Sequence, residues 1–353
     1  MVMQLKYKRT VVSKIRTVIL ITSAVLFALF FIKGIVAISS CIRETGITPP
    51  TFLGLLFDTG ADLSPINDRV NIAVLGIAGG DHDGADLTDT IIVFSFQMKN
   101  NAVGMISVPR DIWSDTLKDK VNSAYHYGEV KSRESESVSV RKKGGLILAK
   151  AIISDMVGLP IQYGVVFDFT KFQTIIDRVG GITIDVPQAF TDSEYPIAGK
   201  ENDPCGGDEA YACRYESLHF DAGSQFMDGK RALAYVRTRH ADGSEGSDFA
   251  RGKRQQQVIV ALKEKLTSRE ILWSVTNMKK LYEAFDTAVD TDMNIAQLAT
   301  VGKLFLRVPQ SRIKRISIEH LLYDPPVGWY GRYVLLPQDS FLSIHDYIQT
   351  QLK

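Results

Sequence analysis

The chain has 353 residues, with 41 lysines and arginines against 40 acids, a formal net charge of +1 and 45% hydrophobic residues. That balance supplies a sizeable core, and it excludes both a disordered chain and a protein that wraps polyanions by bulk charge. Any basic site must therefore be local.

Lys6, Lys8, Arg9, Lys14 and Arg16 precede an apolar or small run from Val18 to Ile32, followed by Lys33 and uncharged residues to Ser40. The run 18–32 alone is too short for a bilayer, but 17–40 suffices if Lys33 snorkels to the interface. The basic leader 1–16 then stays cytoplasmic and the bulk of the chain lies outside. No small-x-small cleavage pattern follows closely, which favours a retained anchor over a removed signal peptide or a buried soluble helix. Prolines and glycines around a short apolar run make 41–68 a stalk.

Beyond it, "VNIAVLGIAGG", "DTIIVFSFQ" and "AVGMISVPRD" are apolar and β-branched and read as neighbouring strands, the last two joined by a hairpin. The polar stretch 129–143 has nothing to bury and reads as an exposed loop. From Gly144 the spacing of apolar residues predicts a helix that stops at Gly158. A strand at "IQYGVVFDF", a helix capped by Thr170 and a strand at "ITIDVP" give βαβ-like traffic, with helices on sheet faces. The excursion 187–226 is polar and contains Cys205 and Cys213, where a local disulfide would staple a floppy loop. No histidine accompanies the pair at metal-ligand spacing, which disfavours structural zinc. "MDGKRALAYVRTRH" predicts a helix delivering Arg237 and Arg239 near its end, and another helix begins around Gly252. Helical patterns at 277–289, 294–308 and 339–349, with a strand at "IKRISIEH", complete the same domain.

Three stretches carry conspicuous charge. In "GIAGGDHDGADLTDT", glycines permit a tight turn, and Asp81, Asp83, Asp86 and Asp89 offer either metal ligands or an ordinary acidic turn. Asp89 directly precedes a buried strand and so has the rigid mounting a metal ligand needs. In "SVPRDIW", Arg110 either grips phosphate through its planar guanidinium or pairs with Asp111 on the surface. Lys120, Asn122 and His126 follow without a distinct signal of their own. In "RTRHADGSEGSDFARGKRQQQ", Arg237, Arg239, Arg251 and Arg254 surround a flexible segment bracketed by Asp242 and Asp248, and Arg251 shares a helix face with Gln255. Arginines this dense call for an anion; with nearby carboxylates to hold Mg²⁺, a pyrophosphate fits. No P-loop, kinase signature or Ser/His/Asp arrangement is present, and neither a basic recognition helix nor an aromatic platform points to nucleic acid.

The stretches "NIAVLGIAGGDHDGADLTDTIIVFSF", "AVGMISVPRD", "KVNSAYHYG", "GLPIQYGVVFDFTKFQTIIDRVGGITIDV", "MDGKRALAYVRTRH" and "GSDFARGKRQQQ" together resemble the LytR-CpsA-Psr family. The resemblance covers roughly 69–266. It implies one extracytoplasmic α/β domain, 69–353, with a central mixed sheet flanked by helices behind a transmembrane helix. The implied activity is a phosphotransferase that moves a phosphoglycan from a polyprenyl-pyrophosphate carrier to a hydroxyl of peptidoglycan or another wall acceptor. A lipid-pyrophosphate hydrolase and a non-catalytic, membrane-tethered binder of the carrier are the rival readings. No nucleic acid is implied, and the oligomeric state stays open.

By the same resemblance, Asp89 is a Mg²⁺ (or Mn²⁺) ligand, with Asp81 as the second and Asp83 as the spare. Arg110, Arg237, Arg239, Arg251, Arg254, Gln255 and Lys120 bind the pyrophosphate. Asp248 activates the acceptor, so the catalytic set is Asp248, Arg110, Arg237 and Arg239. Two departures stand out: Ala78 occupies the usual place of the first metal aspartate, and Thr88 replaces an arginine that usually precedes the Ser-Asp pair.

Overall fold

Runs of β-branched and aromatic residues without breakers build the centre of the molecule. The computed structural model describes residues 63–79, 84–133, 138–197, 199–200, 202–268, 283–284 and 287–353, together with Ser39. Residues 61–353 form one compact unit. The leader 1–16, the expected span 17–40 apart from Ser39 and most of the stalk lie outside the described residues, as do Asp81 and Asp83 and most of the helical pattern 277–289. Among the described residues no helix is long and apolar enough to cross a membrane.

Strands β1 (Arg69–Ile77), β2 (Thr88–Gln97) and β3 (Ala102–Ser107) form as expected, followed by the short pair β4 (Trp113–Ser114) and β5 (Asp119–Lys120). Helices α1 (Ala124–Arg133) and α2 (Val138–Val157) precede β6 (Tyr163–Asp168) and α3 (Phe169–Arg178). Then come β7 (Ile182–Val186), β8 (Phe190–Pro196), β9 (Tyr215–Phe220) and β10 (Gly223–Met227). Helices α4 (Gly229–Arg237) and α5 (Asp248–Leu266) lead to β11 (Val289–Thr291), α6 (Ile295–Arg307) and β12 (Ile313–Ser317). A small hairpin, β13 (Leu322–Tyr323) with β14 (Leu336–Pro337), and α7 (Phe341–Leu352) follow.

The central sheet is six-stranded and mixed, in the order β11-β6-β1-β2-β3-β12. β2 runs antiparallel to both β1 and β3, while β6 lies parallel to β1 and β12 parallel to β3. Successive side chains point to opposite faces. Ala73, Leu75, Ile91, Val93 and Ile106 accordingly pack on one side with Leu146, Ile153, Ile344 and Ile348 of α2 and α7. Ile72, Ile92, Phe94 and Met105 pack on the other with Val260 of α5 and Phe305 of α6. Each fully buried aliphatic side chain contributes about 1.5–3 kcal/mol. A smaller core gathers Ile176, Ile184, Phe190, Phe220, Leu233, Tyr235 and Val258 from α3, β7–β9, α4 and α5. Helix α5 therefore serves both cores.

Four expectations need correction. The stretch 129–143 is helical over 129–133 and 138–143, extending α1 and α2. Its glycine pair marks a helix crossing and not a helix start: a Cβ at Gly144 or Gly145 would collide with Ser132 or Tyr125 of α1. The cap of α3 is Asp168, whose carboxylate accepts from the Thr170 amide at 2.7 Å, while Thr170 lies inside the helix. α5 starts at Asp248, one turn earlier than Gly252, because Ser247 caps it by accepting from the Ala250 amide at 3.1 Å. Finally, β7 leaves the central sheet and pairs antiparallel with β10, so β6-α3-β7 is no βαβ unit.

The excursion 187–226 is also more ordered than its polarity suggests. β8 and β9 pair antiparallel, and the Cys205–Cys213 bridge, with Cα atoms 5.5 Å apart, closes the loop between them.

Candidate active site

The ends of β2 and β3 carry the first part of the site. Asp89 lies in the opening residues of β2 and Arg110 three residues past β3, so the antiparallel pairing brings them to the same sheet end. The Arg110 guanidinium donates through Nη1 to Asp89 Oδ1. Its Nε lies 3.4 Å from Asp111 Oδ2, and Lys120 Nζ donates to Asp111 Oδ1 at 2.6 Å. The Asp111 side chain is only 4% exposed, so this acid is a buried hub between two cations. A buried carboxylate in that position is tolerated because both partners satisfy it. Asp111 was readable beside Arg110 as a surface pair, but its burial was not readable.

Helix α5 closes the site from the other side. Arg251 is buried, and its Nη2 donates to the Asp89 carbonyl at 3.4 Å. Gln255 Nε2 donates to Thr90 Oγ1 at 2.6 Å, and Gln256 Nε2 donates to Ser107 Oγ at 2.9 Å. These bonds fasten α5 across the ends of β2 and β3. The resulting open cleft is lined by Asp89, Arg110, Phe249, Arg251, Lys253 and Gln255 among others. Lys253, Thr90, Ser107 and Gln256 belong to it as well; the run "KRQQQ" held the signal for Lys253 and Gln256, while Thr90 and Ser107 looked like ordinary strand residues.

The turn before β2 is built around Gly79. Its φ of +70° suits glycine, and a Cβ there would collide with the Asp168 carboxylate. Nearby, His126 Nδ1 lies 2.8 Å from Asp86 Oδ2, and Thr88 Oγ1 donates to the buried Asn122 carbonyl at 3.1 Å. His126, Asp86 and Asn122 thus hold the turn to the start of α1. Thr88 is buried; directly before Asp89 it fills the serine place of an Arg-Ser-Asp order, so Leu87, and not Thr88, stands at the arginine's place.

Arg237 and Arg239 are placed differently. Arg237 ends α4 and Arg239 follows it, and both side chains are exposed. Arg237 lies close enough to Tyr195 to act on its hydroxyl, which burial nevertheless raises above its ordinary value. The backbone here is held from beneath: the carboxylate of Asp192, 1% exposed, accepts from the Arg239 amide at 2.9 Å and the His240 amide at 3.2 Å. Asp192 belongs to β8, so the excursion mounts this corner, which its sequence did not signal.

Arg254 faces inward. It donates to the carbonyls of Tyr235 at 2.9 Å, Thr238 at 2.7 Å and Glu245 at 3.0 Å, and to Glu245 Oε2 at 2.9 Å. Burial lowers its pKa, with Glu245 acting in the opposite sense. The structure gives it the task of fixing the 235–245 corner in place of the phosphate contact expected of it. Asp248 is the first residue of α5, directly before Phe249 of the cleft lining.

A sheet end with a buried cation-carboxylate network, faced by a basic helix, defines an α/β protein with a cleft lined by cations. Comparison with known proteins makes the class specific. The LytR_cpsA_psr family model matches residues 58–340, and the chain belongs to that family. Polyisoprenyl-teichoic acid–peptidoglycan teichoic acid transferase TagV of Bacillus subtilis (strain 168) is 27% identical over 237 residues, 65% of this chain and 51% of that protein. The TagU protein of Oceanobacillus iheyensis, with the same descriptive name, is 30% identical over 66% of this chain and 62% of its own length. The matched segments thus span between half and two thirds of those relatives. The crystal structure of B. subtilis TagV aligns with a TM-score of 0.56 at 24% identity, covering 82% of this chain and 98% of that one. The structure of TagT bound to LIIa-WTA aligns with a TM-score of 0.53 at 21% identity, covering 83% and 94%. These likenesses establish the shared fold, with its central mixed sheet.

Proposed function

We propose that the protein transfers a phosphoglycan from a polyprenyl-pyrophosphate carrier to a hydroxyl of peptidoglycan or another wall acceptor, releasing polyprenyl phosphate. The observation that carries this reading is the convergence of Asp89, Arg110 and Arg251 at one open cleft, in a family whose named relatives transfer teichoic acid. Two guanidinium groups held by the framework, with the exposed Lys253, supply positive charge where a diphosphate would lie.

Asp89 is the one acidic residue of the cleft lining among the described residues, and Arg110 Nη1 donates to its Oδ1. A hard carboxylate on the lining of an open cleft fits Mg²⁺, which keeps several waters and needs few protein ligands. Asp89, joined by Asp81, would hold Mg²⁺ (or Mn²⁺). Once bound, the ion would neutralise charge on the phosphate oxygens.

The acceptor hydroxyl attacks the phosphorus that bears the glycan while the bond to the prenyl phosphate breaks. Asp248 takes the hydroxyl proton. Arg110 and Arg251 hold the diphosphate from the sheet side, and Arg237 and Arg239 reach it from the α4 corner. Lys120, through Asp111, holds Arg110 in register. The membrane-anchored arrangement follows from the sequence pattern: leader inside, span 17–40, catalytic domain outside.

The test is transfer from a lipid-linked glycan to peptidoglycan by the full-length protein. A covalent wall conjugate that disappears in the Arg237→Ala variant supports the proposal. Undiminished turnover in that variant rejects the role of the arginine, and release of free phosphoglycan without conjugate converts the enzyme into a hydrolase.

A further inference from the structure

Beside the charged cleft lies a surface of a different kind. Residues 326–335 read "PVGWYGRYVL", and the segment is stitched to the strand that leaves Arg110. The Leu335 amide donates to the Asp111 carbonyl at 2.9 Å, and the Trp113 amide donates to the Leu335 carbonyl at 3.0 Å. Arg332 adds a side-chain tie, donating to Asp119 Oδ1 at 2.9 Å. On this mounting the Trp113 and Tyr330 rings meet with centroids 4.7 Å apart, and the Tyr333 ring sits 5.9 Å from Lys120 Nζ. Trp329, on the same turn, is 70% exposed. Large exposed aromatics on a fixed backbone mark an interaction surface.

The charge around them says what kind. Each cation on this rim has an acid beside it: Lys118 with Asp115 at 3.3 Å, Arg332 with Asp119 at 2.9 Å, Lys120 with Asp111 at 2.6 Å. A rim of paired charges offers donors and acceptors without net attraction for a polyanion or an anionic lipid surface. Its complement is a neutral, polyhydroxylated ring with an apolar face for the aromatics and hydroxyls for the rim. Lys120 and Asp111 belong both to this surface and to the Arg110 network, so the aromatics share their mounting with a residue of the cleft lining.

The geometry points to a glycan subsite: the aromatic shelf of Trp113, Trp329, Tyr330 and Tyr333 binds pyranose rings of the acceptor polymer. This rests on the transferase reading for its relation to the cleft, but its binding test does not need turnover. The occupant is the uncharged glycan backbone of the acceptor strand, since the paired rim gives a carried phosphoglycan no net attraction.

Two of the chain's 3 tryptophans, Trp113 and Trp329, lie on the shelf, so intrinsic fluorescence reports on it. Titration of the full-length protein with chitotetraose should give a saturable change. Trp329→Ala should weaken binding about tenfold, and Trp329→Phe, which keeps a ring, should restore most of it. Ring-free poly(glycerol phosphate) should not reproduce the signal. In the transfer assay, Trp329→Ala should raise KM for peptidoglycan and leave kcat near the parent value; a rise confined to the lipid-linked donor would overturn the assignment to the acceptor strand. No response to chitotetraose, equal affinity in Trp329→Ala, or a response only to phosphatidylglycerol vesicles would each overturn the subsite. A parent protein that binds chitotetraose yet never transfers overturns the enzymatic reading and leaves the shelf standing.

Discussion

The sheet end and the α4 corner both present arginines, but they build them in opposite ways. At the sheet end, Arg110 is locked between Asp89 and Asp111, and Arg251 is buried against the backbone of β2. At the corner, Arg237 and Arg239 stand exposed on a backbone whose supports, Asp192 and Arg254, are themselves buried. In the first region the functional groups are part of the framework; in the second the framework stops at the main chain. Fixed charges set the place of a ligand with little reorganisation, whereas exposed ones can follow ligands of differing shape.

That contrast is open to attack by mutation, and the largest effect belongs to Arg110. Arg110→Ala should lower transfer by roughly 10²–10³-fold. It should also lower stability, since it takes a partner from the buried Asp111; steady-state transfer and urea unfolding read the two losses together. Arg254→Ala should cost about 3 kcal/mol in urea unfolding, because four bonds to the corner are lost at a buried site. Arg239→Ala should do the reverse, reducing transfer about tenfold with an unchanged thermal midpoint. A large loss of stability there would erase the distinction between the regions.

The smallest effect sharpens the sheet-end side through pH. Burial pushes the Asp119 carboxyl up, but bonds from Tyr127 and the Lys120 amide, with the charge of Arg332, outweigh it and leave the pKa below its ordinary 3.8. A carboxylate depressed in the folded state stabilises above the unfolded value, and that contribution is lost as pH falls through the folded one. Tyr127→Phe should therefore cost ~1 kcal/mol at neutral pH, and the difference from the parent should shrink on acidification below the ordinary value, as followed by urea unfolding.

The sequence revealed the two regions unequally. β1, β2 and β3 are continuous β-branched runs buried on both faces, and Arg110 follows one of them at a fixed offset, so strand positions and the cation were both readable. The start of α2 was hidden, because the mixed run 138–143 carries no helical apolar period and Gly144 and Gly145, placed for contact with α1, imitate a boundary. Arg254 was grouped with the ligand-binding arginines because a sequence states charge and not direction: one turn of helix separates it from Arg251, and the two point to different partners. Asp192 gave no signal, since its role depends on a β8–β9 pairing formed across a stapled loop.

The edge strand β12 carries a further consequence. It lies parallel to β3, and Gly104 of β3 makes room for Leu352 of α7. Both partners are encoded more than two hundred residues after the strand they support. During synthesis the nascent polypeptide must wait with one flank of its main sheet unsealed, so the cleft at that sheet end matures late, and an ordering from the amino-terminal strands outward would delay competence until most of the polypeptide has emerged.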